Sequence, residues 1–326
     1  MIRMIYICRL GLLSLFIPFL YGGEVDHYLS WGNPLTDSAN PLNAKMNEIV
    51  EKAIESLPND CSCEFAASTI LSEFGVKLNS DLERWIKKST KLDLYRPDWS
   101  EAVEKSIFRI PPKTKRMEEL EKTSLSMQID EIINIGGIYF GIDKLSHFTG
   151  SGYLYYQSYL IFRDNPDVNA EEMAIWFGIL GEKSIIGRIA TGVFSYADLE
   201  ANYQGMQLGR NMCEGDNPML KQSDNRWTLT RLLDMRNYVN PLWDESYNPS
   251  FYYDGFNLTL MPKNTPVLNN MPKYCDSFQS PFVQDLFTYY DSFQIKSSSY
   301  TFLQRLIQEE KLPSPTLYDI RNICKD

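Results

Sequence analysis

Residues 181–213 read GEKSIIGRIATGVFSYADLEANYQGMQLGRNMC, and the fold is decided here. The stretch holds the end of one helix, a short glycine-bounded β excursion and a newly capped second helix. Just upstream, Ala170, Met173, Ala174, Phe177 and Leu180 recur at three- and four-residue steps, which predicts one buried stripe on the first helix. Glu182 follows where that apolar face runs out. After Gly187, the run Thr191-Gly192-Val193-Phe194 mixes strand formers with a turn former. Ser195 and Asp198 have the spacing of a capping box, and the second helix continues through Leu199, Ala201, Asn202, Met206 and Leu208.

Glu182 is the chemically pointed residue. Beside Trp176, Phe177 and Ile179 a carboxyl group is poorly solvated, and desolvation favours its protonated form. A carboxylic acid that keeps its proton near neutral pH is what a glycosidase uses to protonate a leaving oxygen. The competing reading is an ordinary solvated glutamate at a helix end.

Working upstream, residues 143–162 read DKLSHFTGSGYLYYQSYLIF. On a helix Asp143 and His147 share one face. Of the two histidines in the chain, His147 is the one in an organised context. The pair can orient a catalytic group, ligate a metal together with further carboxylates, or satisfy a core histidine with Asp143 as its partner. Zinc here would have to rely on carboxylates, since no cysteine pair has metal spacing. Gly150-Ser151-Gly152 beside Tyr153, Tyr155 and Tyr156 predicts close helix packing against an aromatic wall.

At the N-terminus Arg3 and Arg9 precede an apolar run, Leu10 to Tyr21, with no acidic residue. That is the pattern of a secretory signal peptide over residues 1–22, with cleavage near Gly22 or Gly23 and no cysteine for lipid attachment. The expectation is an exported protein, periplasmic or secreted. No later run approaches the ~20 apolar residues of a membrane span. Loss of Arg3 and Arg9 takes the formal charge from −10 to −12, a balance that argues against a nucleic-acid partner. Of six cysteines, Cys8 lies in the leader; Cys61, Cys63, Cys213, Cys275 and Cys324 then favour structural disulfides with one thiol left over.

Residues 24–45, rich in Asn, Pro, Asp and Ser, read as an extended surface arm. Helices are predicted through Met46 to Leu57, from about Cys63 to Phe74, and from Ser80 to Lys88. Leu92 to Lys115 reads as irregular, and the charged run Lys113–Lys122 as an exposed face. Beyond Cys213, Trp227–Tyr238, Phe282–Tyr290 and Thr301–Gln308 read as helices. Between them PLWDESYNPSFYYDGFN, residues 241–257, interleaves aromatics with polar groups, a composition suited to stacking on sugar rings or to pinning a long loop. The asparagine at 257 opens a glycosylation sequon. No phosphate-binding loop, dinucleotide fingerprint or nucleophile elbow occurs, so no cofactor is implied.

The order of parts over residues 170–210 resembles the lysozyme superfamily: a helix delivering a glutamate, a small β-hairpin, then a helix flooring the cleft. The likeness is to a divergent branch of exported bacterial lysozymes, among them a type acting on deacetylated peptidoglycan. It implies Glu182 as general acid, and Thr191, Ser195, Tyr196, Asp198 and Asn202 as substrate-facing residues, with Asp143 and His147 in support. No second carboxylate stands on the hairpin, which leaves an inverting or single-acid scheme beside a retaining one. Separately, Asp143-Lys144-Leu145-Ser146-His147-Phe148 resembles the D-K-x-x-H-F motif of small bacterial envelope proteins related to the VanZ-like group, a motif that defines no chemistry.

The expected architecture is therefore mainly α. After the leader, an N-terminal helical region (23–125) and a lysozyme-like core with a loop-rich C-terminal wrap (126–326) form one compact unit. The expected function is hydrolysis of cell-wall glycan, peptidoglycan or a related amino-sugar polymer. Free ammonium groups on such a polymer would be drawn to an acidic protein. Two rivals stand beside it: a non-catalytic envelope protein binding glycan or a partner through its aromatic loop, and a metal enzyme built on Asp143, His147 and Glu182.

Overall fold

The computed structural model describes residues 25–75, 81–108, 129–183, 192–253 and 267–325. The leader, Gly187, Thr191, the run Lys113–Lys122 and the sequon lie outside them. The chain is mainly helical with three small antiparallel sheets.

The N-terminal half supplies α1 (Ala39–Glu55), α2 (Cys63–Gly75), α3 (Asp81–Lys88) and α4 (Trp99–Lys105). A three-stranded sheet follows in the order β1 (Leu94–Tyr95), β2 (Ile132–Ile135), β3 (Ile138–Gly141). Its hairpin pairs Ile132 with Gly141 and Ile135 with Ile138. The turn is Gly136-Gly137, at φ 62° and 86°, a conformation open to glycine and suited to a two-residue hairpin. Next come α5 (Asp143–Ser146), a π turn over His147–Ser151, α6 (Gly152–Phe162) and α7 (Ala170–Lys183). Then β4 (Val193–Phe194) leads into α8 (Tyr196–Cys213).

The second helix of the deciding stretch, α8, is the centre of the protein. Tyr196, Leu199, Ala201, Met206, Leu208 and Met212 are all buried, and the helix packs against α2, α6, α7 and the π turn. Small residues make that possible. Gly152 of α6 meets Gly205 of α8 backbone to backbone, where a Cβ on Gly152 would stand 2.6 Å from the Gly205 Cα. This is the close helix packing expected near Gly150–Gly152. The Cys63–Cys213 disulfide ties the start of α2 to the end of α8.

The remaining chain adds β5 (Leu220–Ser223), β6 (Arg226–Leu229), β7 (Phe251–Tyr252), α9 (Pro281–Asp291) and α10 (Ser298–Gln308), with Cys275–Cys324 as the second disulfide and Cys61 free. The larger of two apolar clusters among the described residues draws on Val25 through Leu92 and on Ile132 through Leu312, so both halves share it. No helix among the described residues is long and apolar enough to cross a membrane.

Five expectations are corrected. The inner face of α7 carries Ala170, Ala174, Ile175, Ile179 and Glu182, whereas Phe177 and Leu180 are exposed. Ala170 and Ala174 lie on the expected face, but Ile175 and Ile179 take the place of Phe177 and Leu180, because both faces of this helix are apolar. The β excursion is real at Val193–Phe194, but its partner is β7, pairing Val193 with Tyr252 and Phe194 with Phe251. The segment Trp227–Tyr238 is not one α-helix: Asp224 and Asn225, at φ 51° and 58°, turn β5 into β6 (Arg226–Leu229), and only Met235–Asn237 form a 3-10 turn. Residues 25–30 are no surface arm. Asp26 caps a 3-10 turn, His27–Ser30, and Tyr28 and Trp31 pack on Tyr274. Within Leu92–Lys115, β1 and α4 are ordered, the latter capped by Asp98.

Candidate functional site

Four segments bring polar side chains to one place. The end of the β2–β3 hairpin runs directly into α5, which presents Asp143 and Lys144, and the π turn sets His147 one turn later. The α8 N-terminus presents Asp198 and, four residues on, Asn202 along one face. Its cap is Ser195, whose Oγ accepts the Asp198 N–H at 3.1 Å. A buried strap through Trp243 brings Asp244 and Glu245. From α7 the inner-face Glu182 approaches the same cap.

Lys144 is the hub. Its side chain is 1% exposed, and Nζ lies 2.6 Å from Asp143 Oδ2, 2.7 Å from Asp198 Oδ1 and 2.9 Å from Glu245 Oε1. Ser195 carries the network onward: its O–H donates to Glu245 Oε1 at 2.6 Å, and its N–H makes a long 3.5 Å contact with Glu182 Oε2. On the other side, His147 Nε2 stands 3.3 Å from Asp198 Oδ2 and Nδ1 stands 3.0 Å from Asn202 Oδ1. His147 and Asp198, at 15% and 13% exposure, are the least buried members, so the network opens to solvent on their side.

Burial and charge oppose one another across this network. Burial pushes the Lys144 ammonium down, but Asp143, Asp198 and Glu245 outweigh it and hold the group well above the ordinary lysine value. At Asp143 burial wins, and despite Lys144 its carboxyl is held above the ordinary range. At Asp198 burial acts in the same sense, but His147 and Lys144 together overcome it and hold the carboxyl below that range. The cluster thus separates two aspartates by protonation, one inclined to keep a proton and one to lose it.

One donor atom each of Asp143, His147 and Asp198 lies within 4.8 Å of the others, an arrangement that could hold a cation. Among the described residues Asp143 Oδ1 has no hydrogen-bond partner.

Of the residues singled out from sequence, Asp143, His147, Asp198, Asn202, Ser195 and Glu182 converge here. Tyr196 does not face outward: it is buried, and its hydroxyl donates to the Pro313 carbonyl. Thr191 lies outside the described residues. Asp198 keeps a side-chain hydrogen bond with the cap residue Ser195 and also has its carboxylate on Lys144 and His147. No local sequence pattern marks Lys144 or Glu245 as members of the site. The lysine sat unremarked inside the D-K-x-x-H-F motif, and Glu245 sat in a stretch read for its aromatics. The same stretch is no exposed platform over residues 240–253. Trp243 is fully buried and packs edge-on against Phe140 at 5.0 Å between ring centres. His27 is also organised, buried with Nε2 at 3.9 Å from Asp244 Oδ1.

Comparison with protein-family models, with curated proteins and with solved structures finds no match for this chain.

Proposed function

We propose that this chain is an exported hydrolase of cell-wall glycan, peptidoglycan or a related amino-sugar polymer, working by acid–base chemistry. Glu182 is the proton donor to the leaving oxygen. Asp198, paired with His147 at the open side, is the carboxylate that takes a proton from water. One observation carries this reading. Ser195 touches Glu182 through its N–H and Glu245 through its O–H, which joins Glu182 to the Asp143–Lys144–His147 cluster in one network. The two disulfides support an oxidising, extracytoplasmic compartment. The order α7, β4, α8 supports a lysozyme-like arrangement, with the pairing of β4 to β7 as its departure from the hairpin pattern.

The test is digestion of native and chemically deacetylated peptidoglycan by the purified protein and by Glu182→Gln. Release of muropeptides by the parent and not by the variant supports the assignment, and release by both refutes it. A second reading has its own support: Lys144 is wholly buried with three carboxylate partners, as in a purely structural ionic network. Under it the protein is a non-catalytic envelope component, and neither wall is cut.

A further inference from the structure

The imidazole of His147 faces an oxygen acceptor on each side, Asp198 Oδ2 at Nε2 and Asn202 Oδ1 at Nδ1. A neutral imidazole carries one N–H, so it can satisfy only one of them. With the proton on Nδ1, donated to Asn202, the Nε2 lone pair points at a carboxylate oxygen. In the other tautomer Nε2–H donates to Asp198; in this one a cation between the two atoms is what makes the pair favourable. The separation fits: two ligands held about 2.1 Å from one ion stand roughly 3.0–3.4 Å apart in octahedral to tetrahedral coordination, and Nε2 and Oδ2 are 3.3 Å apart.

A second observation comes from Asp143. It belongs to the same triad of donors, is 8% exposed, and keeps Oδ1 without a hydrogen-bond partner among the described residues. Lys144 does not occupy the site. It takes Asp143 Oδ2 and Asp198 Oδ1, one oxygen from each aspartate, and leaves the second oxygen of each.

We infer that His147 Nε2, Asp198 and Asp143 bind a divalent transition-metal ion, with Asn202 fixing the imidazole tautomer and Lys144 holding both aspartates in place. One nitrogen and carboxylate oxygens without a thiolate select the zinc and manganese class. The site stands independently of Glu182 as a proton donor; with an ion bound, Asp198 is a ligand and no longer the base of the reading above.

The test uses the full chain, stripped with a chelator and titrated with Zn2+, Mn2+, Co2+ or Mg2+, without any glycan. Zn2+ and Mn2+ should raise Tm by several degrees and Mg2+ should do less. Co2+ should develop visible d–d absorption that Zn2+ removes by displacement. His147→Gln, at a partly open position, should keep the far-UV circular dichroism of the parent and lose the cobalt spectrum. Asp143→Asn should weaken binding by about tenfold or more. A parent with neither a Tm shift nor a cobalt spectrum overturns the site. An unchanged spectrum in His147→Gln overturns the ligand assignment. Since no hydrolysis is read, a failed digestion experiment leaves this outcome unaffected.

Discussion

Replacing Lys144 with Met removes the one ammonium that three buried carboxylates share. The side chains are nearly isosteric, so the change is electrostatic rather than a cavity. At an effective dielectric of about 20, unit charges some 2.7 Å apart attract by about 6 kcal/mol, before the cost of burying them is subtracted. The subtraction is why keeping a buried ion pair gains little, whereas removing one partner is costly, typically about 3–5 kcal/mol. Here Asp143, Asp198 and Glu245 are all left facing one another, so the upper part of that range applies. For a chain of about 300 residues each kcal/mol moves Tm by roughly 1.5–2 °C, which predicts a fall of about 6–10 °C in Lys144→Met. Adding Asp143→Asn and Glu245→Gln removes two of the stranded charges and should return at least half of the loss. The assay is calorimetric or circular-dichroism melting of all three proteins at pH 7. A Lys144→Met Tm within about 2 °C of the parent would refute the hub, and so would a triple variant less stable than the single one.

Other perturbations separate the packing from the charges. Gly205→Ala drives a methyl into the Phe148 carbonyl and against Gly152 at the α6–α8 crossing; it should cost about 3 kcal/mol or more by overpacking, read as a denaturant midpoint shift. Gly141→Ala would occupy the space of Val25 and Asp143 Oδ1, so it should lower Tm and, where a metal binds, weaken that binding. Asp26 gives a pH dependence: burial raises its carboxyl from 3.8 to about 6. A folded value above the unfolded one means that its contribution is fully present below about pH 4 and is lost as pH rises through about 6. The loss amounts to about 3 kcal/mol, and stability of the parent relative to Asp26→Asn should therefore fall across that window in urea titrations. Cys63→Ala with Cys213→Ala opens the link between α2 and α8 and should cost about 2–5 kcal/mol under oxidising conditions only, so that reductant erases the difference from the parent.

The helices that pack with one face were legible because their apolar residues repeat at helical spacing. Met46, Val50 and Ala53 give α1, and Phe302, Leu303 and Leu306 give α10. The N-cap Ser195 was legible from its own short-range chemistry. Of the strands, only Val193–Phe194 was legible, and without its partner. Asn134, Ile135, Gly136 and Gly137 carry a hairpin signal that was passed over, and Val193–Phe194 could not disclose a partner at Phe251–Tyr252. The face of α7 was misread in part for a related reason: with apolar residues on both faces, spacing along the helix does not say which face meets the core.

For the candidate site, the α5 pair Asp143 and His147 and the cap pair Ser195 and Asp198 could be proposed from sequence because each lies within one helical turn of its partner. Glu182 could be proposed as desolvated but not placed. What only the tertiary structure decided is the cluster itself: that Lys144 neutralises carboxylates from α5, α8 and the 244–245 strap, and that Ser195 ties Glu182 to them. Local spacing determines what a side chain can meet through its own backbone, over three or four residues. Which distant charges share one buried ammonium is settled by how helices cross, and here that depends on two glycines, at 152 and 205, letting α6 and α8 touch.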